Sequence, residues 1–164
     1  MTPEQDIPSV QSAITTLPPE LFIKLCAFLP PADLFTLSQV CRKFHGYLCA
    51  PNSFSTQQIW KVSRLKFMLK EDMPPPEGMN EKKYVELLMM ERGCQICKRV
   101  KLCKIYWEFE VRSCEECFLI KAVNLSKENL KSWLDDKKLI FDSIMEYATQ
   151  RAIKYGTLEN GKYY

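Results

Sequence analysis

LPPELFIKLCAFLPPADLFTLSQVCRKFHGYLCAPNSFSTQQIW, residues 17 to 60, decides how this chain is read. Short apolar segments are punctuated by proline pairs, and a tryptophan closes the run. Pro18 and Pro19 suit the first turn of a helix, where an N–H has no intrahelical acceptor anyway. Leu21, Phe22, Leu25 and Leu29 follow at helical spacing, and Pro30-Pro31 stops that helix. Asp33 then lies in the first turn of the next helix, matched to its dipole. Leu34, Leu37, Cys41 and Phe44 recur at spacings of 3, 4 and 3, which predicts one helical stripe, widened by Val40. Ser55 followed by Gln58 predicts a capping box that opens a helix carrying Ile59, Trp60, Leu65 and Met68. The first helix is apolar almost all round, through Leu21, Phe22, Ile23, Leu25, Cys26 and Phe28. A bundle of about 50 residues buries little surface by itself. Apolar residues on more than one face therefore call for a second partner.

The same stretch resembles the F-box. The residues that carry the resemblance are Leu17, Pro18, Glu20 and Leu21, then Leu29 before Pro30 and Pro31, then Asp33-Leu34, Val40-Cys41-Arg42 and Trp60. Phe44 stands where the family often has tryptophan. The resemblance implies a helical bundle that packs onto the Skp adaptor subunit of a Skp–cullin–F-box ubiquitin ligase. Carried over residue by residue, Leu17, Pro18, Leu34, Leu37, Val40, Cys41 and Trp60 lie in or beside that interface. It also implies a protein that performs no bond chemistry and holds a target for enzymes that do.

Beyond residue 70 the run Met73-Pro74-Pro75-Pro76-Glu77-Gly78 breaks the helical pattern and is expected to be extended. Asn80 is placed to cap a helix with Tyr84, Leu87 and Leu88 on one face, ending at Gly93. From Ile105 to Arg112 the residues alternate. Ile105, Trp107, Phe109 and Val111 point one way and Tyr106, Glu108, Glu110 and Arg112 the other, which predicts a half-buried strand. Ser126 reads as an N-cap with a Leu125–Leu130 staple. A last helix carries Phe141, Ile144, Met145, Ala148 and Ala152, with Gly156 as its stop. The expected organisation is a tail over 1–13, a helical domain over 14–70, a proline-rich linker over 71–80 and a C-terminal module over 81–164. The expected fold class is mainly α, an F-box bundle followed by a small four-cysteine, ribbon-like element with flanking helices.

Cys94-Gln95-Ile96-Cys97 and Cys114-Glu115-Glu116-Cys117 are two Cys-x2-Cys pairs with 16 residues between the inner cysteines. Zinc takes four soft ligands in a tetrahedron, and each pair can form a knuckle that offers two thiolates. One structural Zn²⁺ on Cys94, Cys97, Cys114 and Cys117 is the expected cofactor, in a closed shell with no position for a catalytic water. Disulfides are disfavoured by compartment, and neither pair lies in the βαβ context of a redox motif. Cys103 reads as a core thiol, with replacement of one ligand left open. Cys26, Cys41 and Cys49 read as small apolar residues. Four thiolates and one Zn²⁺ take the formal charge from +3 to +1. Lys98, Arg99, Lys101 and Lys104 flank one knuckle and offset the site's negative charge. The Tyr106-Trp107 and Val111-Arg112 dipeptides resemble those of a four-cysteine element that follows the F-box in some fungal F-box proteins.

The remaining composition narrows the function classes. A hydrophobic content of 46% is globular, and a net charge of +3 over 164 residues does not by itself imply nucleic acid. Residues Met1 to Ser9 lack the basic start and apolar core of a secretory leader, and no apolar run approaches a membrane span. The expected location is the cytosol or nucleus. His45 is the single histidine, and the 5 glycines do not cluster into a phosphate loop. The expected partners are a Skp-type adaptor, a cullin scaffold through it, and a protein target presented by the zinc module. Two rivals stay open. One is a zinc-ribbon nucleic-acid binder with the basic cluster on phosphates and Tyr106 or Trp107 stacking bases. The other is an F-box protein acting outside ubiquitin ligation.

Overall fold

The structure is a computed structural model that describes the backbone of residues 13–120 and 130–156 and the side chains of residues 14–120 and 142–156. The readings made above for residues 1–12, the Ser126 cap and the Phe141 side chain fall outside these. Helices dominate the described residues, and none is long and apolar enough to cross a membrane. The chain forms two compact units, Met1–Phe67 and Met68–Tyr164.

In the first unit a 3-10 turn over Ala13–Thr16 leads into α1 (Pro19–Cys26), α2 (Pro31–Leu37), α3 (Arg42–Cys49) and α4 (Phe54–Phe67). Proline opens α1 and α2, as the fixed proline φ favours. The stripe from Leu34 to Phe44 is not one helix. Cys41 is extended, at φ −155° and ψ 163°, and starts α3 as its N-cap. The break lets two aromatic contacts form in different directions. Phe35 on α2 packs at 4.6 Å on Trp60, while Phe44 on α3 stacks at 4.7 Å on Phe22 of α1. The capping box is also displaced. Ser53 rather than Ser55 opens α4, its hydroxyl accepting from the Thr56 N–H.

Helix α4 is the bundle's central post. Thr56, Trp60 and Ser63 lie on one face of it, at i, i+4 and i+7, and all are buried. Each donates to a backbone carbonyl outside α4. Thr56 Oγ1 donates to Tyr47 O at 2.7 Å and Trp60 Nε1 to Leu48 O at 2.8 Å, both near the end of α3. Ser63 Oγ donates to Leu29 O at 2.7 Å, just past α1. Helix ends leave such carbonyls without partners, and burying them unsatisfied is costly. One polar stripe thus closes the end of α3 and the bend after α1 inside an apolar core.

The second unit begins with the proline-rich segment, which two tyrosines of the last helix hold. Tyr147 Oη donates to Pro74 O at 2.8 Å, and Met73 N–H donates to Tyr155 Oη at 3.2 Å. Helix α5 (Glu81–Leu88) follows, with Asn80 Oδ1 accepting from Lys83 N–H at 2.8 Å, the cap its sequence predicts. Two short strands come next, β1 (Lys104–Tyr106) and β2 (Val111–Ser113), then helical residues 115–120 (α6) and α7 (Leu130–Tyr155). The apolar core gathers Tyr84, Leu87 and Leu88 of α5, Trp107, and Ile144 and Ala148 of α7. Gly156, at φ +67°, follows the last turn of α7.

Residues 105–112 do not form the single strand that their alternation predicts. They form an antiparallel hairpin in register Lys104↔Ser113, Ile105↔Arg112 and Tyr106↔Val111. Its turn is a 3-10 helix over Trp107–Phe109, closed by Glu110 in the left-handed region at φ +51°. An eight-residue strand would carry the chain about 26 Å away from the first cysteine pair. The hairpin brings it back.

Candidate metal centre and helical docking surface

Each cysteine pair is set by local backbone chemistry. In the first, Lys98 N–H returns to Cys94 O at 2.9 Å, with Lys98 itself left-handed at φ 60°. Cys94 N–H donates to Arg99 O at 3.1 Å, so the knuckle is bound at both ends. Gly93 precedes it at φ +66° and ψ −155°, a region that is essentially glycine's alone. A Cβ there would stand 2.4 Å from Arg99 O. The second pair straddles the start of α6, where Phe118 N–H donates to Cys114 O at 3.0 Å and Ser113 Oγ to the same carbonyl at 2.8 Å.

The hairpin brings all four expected ligands together. The Sγ atoms of Cys94, Cys97, Cys114 and Cys117 lie within 4.8 Å of one another. A tetrahedral zinc with Zn–S bonds of about 2.3 Å requires sulfur–sulfur edges of roughly 3.8 Å. The four thiols fit a metal ion after a small contraction, and their softness selects zinc or iron over hard cations. Burial works to raise the Cys94 thiol pKa, but backbone N–H groups of Cys114, Cys97 and Ile96 outweigh it and bring it down to about 5. The Cys117 thiol goes the other way, to about 12, because it shares a hydrogen bond with Cys114 and is withdrawn from water.

Cys103 is buried against this cluster but is not one of the four. Its thiol donates to Lys101 O at 3.2 Å. Its pKa is raised first by burial and then by the neighbouring thiolate of Cys94. Cys26 lies in the other unit's core, where burial pushes its thiol up to about 11.

Arg112 is the residue the sequence pattern misplaced. Alternation points it at solvent, yet it is 2% exposed. Its Nε donates to Gly93 O at 2.7 Å, and its Nη1 donates to Leu87 O at 3.1 Å and to Glu86 O. Those are carbonyls of the last turn of α5 and of the glycine that opens the first knuckle. The guanidinium therefore ties the core helix to the glycine that opens the first cysteine knuckle. Its backbone joins the same network, accepting Gln95 N–H at 3.0 Å and donating to Gln95 Oε1 at 2.7 Å. Of the basic cluster, Lys101 pairs with Glu116 at 2.8 Å, and Lys98 and Arg99 are exposed.

In the first unit the seven residues read as partner-facing divide by burial. Pro18 and Val40 are exposed, Val40 at 61%, and Leu17, Leu37 and Cys41 are half-buried. Lys43 Nζ donates to Thr15 O at 2.8 Å and Leu17 O at 3.2 Å, which clamps the Leu17-Pro18 segment to α3, where Cys41 is the N-cap. Leu34 and Trp60 have no exposed surface and lie in the core of the bundle. Leu21, Leu25 and Phe28 on and after α1 are exposed, and Lys66 Nζ lies 4.5 Å from the Phe28 ring centre.

Residues 14–56 match the family model described as F-box-like. No curated protein and no solved structure matches the chain. The matched residues all lie in the first unit, and the match supports a role in protein–protein interaction for it.

Proposed function

We propose that this chain is a non-catalytic recruiting subunit of a Skp–cullin–F-box ubiquitin ligase. The first unit docks on a Skp-type adaptor through Leu17, Pro18, Leu37, Val40 and Cys41, with Leu34 and Trp60 shaping that surface from behind. The second unit, folded around one structural Zn²⁺ on Cys94, Cys97, Cys114 and Cys117, presents a protein target. Catalysis by the assembly follows from proximity, since tethering raises the target's effective concentration beside a ubiquitin-charged enzyme. Such a subunit works in the cytosol or nucleus.

The observation that carries this reading is the F-box-like match over residues 14–56, on a bundle that leaves large apolar residues exposed. The four-sulfur cluster supports a metal-dependent second unit. It is a closed donor set, consistent with a zinc element like that of some fungal F-box proteins.

The test is a direct pull-down with purified Skp-type adaptor and cullin. Truncating Leu17 and Pro18 together to alanine should weaken adaptor binding by about 1–2 kcal/mol, the scale of an interface hot spot. A folded wild-type protein that does not bind the adaptor overturns the proposal. Adaptor binding without cullin in the complex moves the protein outside ubiquitin ligation. Elemental analysis should find one zinc per chain; iron in its place would replace the metal assignment.

A further inference from the structure

The segment between the two knuckles is built to meet another protein. It reads Lys98-Arg99-Val100-Lys101-Leu102-Cys103-Lys104, four cations and no acid. Val100 is 85% exposed and Leu102 80% exposed. The two apolar side chains stand far into water on either side of Lys101, in the loop that follows the first cysteine pair. Lys101 between them turns to Glu116 on α6. Lys98 and Arg99 make no ion pair among the described residues. The segment then runs into Cys103, Lys104 and Ile105, which line a cavity of about 200 Å³ walled also by Leu88, Trp107 and Ala148.

The aromatic rings that a nucleic acid would need are already engaged. Tyr106 stacks on Phe118 at 3.6 Å and 2°, and Trp107 is buried beside Tyr147. Single-stranded nucleic acid gains much of its binding energy from exposed rings on which bases stack. Bare valine and leucine offer phosphates nothing. Apolar anchors flanked by exposed cations that outnumber the nearby Glu116 fit an acidic polypeptide, with the charges steering and the apolar contacts holding. Arg112 is enclosed beside Cys103, and its donors are taken by backbone carbonyls. Lys98 and Arg99 are exposed, with Lys101 and, beside it, Arg99 near enough to Glu116 to hold its carboxyl below the usual range.

We infer that residues 98–104 are the target-docking finger of the second unit, and that they bind a segment of a protein target in which acidic residues flank one or two large apolar side chains. The inference rests on the proposed recruiting function and names the class of target and the surface that takes it.

The test is selection of random peptides displayed on phage against the zinc-loaded full chain. Peptides that combine acidic and large apolar residues should be enriched. A synthetic copy of an enriched peptide should bind about tenfold or more weakly to Val100→Ser/Leu102→Ser and to Lys98→Glu/Arg99→Glu, with metal content unchanged. Should the serine pair lose its metal, the glutamate pair carries the same test. Enrichment of peptides without acids, equal binding by the variants, or no enrichment would overturn the inference. So would self-association that the serine pair abolishes, or oligonucleotide binding in place of peptide binding. Adaptor binding is measured on the same samples. A wild-type chain that binds adaptor but selects no peptide refutes this inference alone, and one that fails to bind adaptor refutes the recruiting function.

Discussion

Arg112→Met removes the guanidinium and keeps a long apolar side chain in its place. Three carbonyls, of Glu86, Leu87 and Gly93, lose their donor in the interior. A buried carbonyl left unsatisfied costs roughly 1–3 kcal/mol, and bonds from a charged donor fall toward the upper part of that scale. The penalties do not add fully, because α5 can shift to share water, and the substitution also relieves the burial of a charge. A net loss of about 3 kcal/mol is the expected size. In a cooperative unit of this length that lowers Tm by roughly 12–24 °C. Because the same guanidinium holds Gly93 against the first knuckle, apparent zinc affinity should fall about a hundredfold as well. Thermal unfolding of the zinc-loaded protein, followed by far-ultraviolet circular dichroism, reads the first effect, and competition with a chromophoric chelator reads the second. Arg112→Lys should recover part of both, since an ammonium reaches one or two of the carbonyls but lacks the planar fork. A methionine variant melting within about 2 °C of wild type, with its metal retained, refutes the claim that Arg112 couples the helix to the site.

Gly93→Ala should lose metal and unfold the second unit, because its Cβ meets Arg99 O at 2.4 Å and its φ is +66°. Gly46→Ala, with open space around the Cβ in α3, should be neutral or stabilise by up to about 1 kcal/mol in urea titration. Trp60→Ala should destabilise the first unit by about 3–5 kcal/mol, as the indole is fully buried and donates to Leu48 O at 2.8 Å. Val40→Ser should change stability by less than about 0.5 kcal/mol yet weaken adaptor capture, which separates support from contact in one pull-down. Zinc uptake should release protons near neutral pH, because the metal-free site holds a proton on Cys117, whose thiol titrates only near about 12, while Cys94 is ionised above about 5. Metal-linked stability is therefore fullest on the alkaline side and is lost as pH falls. Titration calorimetry in two buffers of different ionisation enthalpy checks the sign, and a heat independent of buffer would contradict it.

Parts of this architecture are written in short-range chemistry. The proline pairs place the starts of α1 and α2 because a locked φ and a missing N–H act within a single turn. Asn80 announces α5 because its carboxamide reaches an N–H only three residues on. The Cys-x2-Cys spacing makes each pair of ligands legible for the same reason, since a knuckle is closed by its own backbone. The apolar run Tyr84, Leu87 and Leu88 marks a core face, and those residues are buried together.

Other features depend on contacts between segments distant in sequence, and no local pattern carries them. The spacing of Leu34, Leu37, Cys41 and Phe44 satisfies one helix as well as two. The break at Cys41 exists because Phe35 and Phe44 find aromatic partners in different directions, on Trp60 and on Phe22. Thr56 and Ser63 look like ordinary polar residues until the carbonyls of Tyr47 and Leu29 are brought against them. Period-two alternation sends Arg112 to solvent. The turn at Trp107–Glu110 folds the strand back, and the carbonyl ends of α5 and Gly93 draw the guanidinium inside. The sequence by itself determined the helical class of the first segment and the two cysteine pairs, because both follow from bonds within a few residues. Only the tertiary structure decided that Leu34 and Trp60 lie beneath the surface and Val40 upon it, and that a buried arginine joins the four-cysteine cluster to the core, because burial is a property of what the rest of the chain places around a residue.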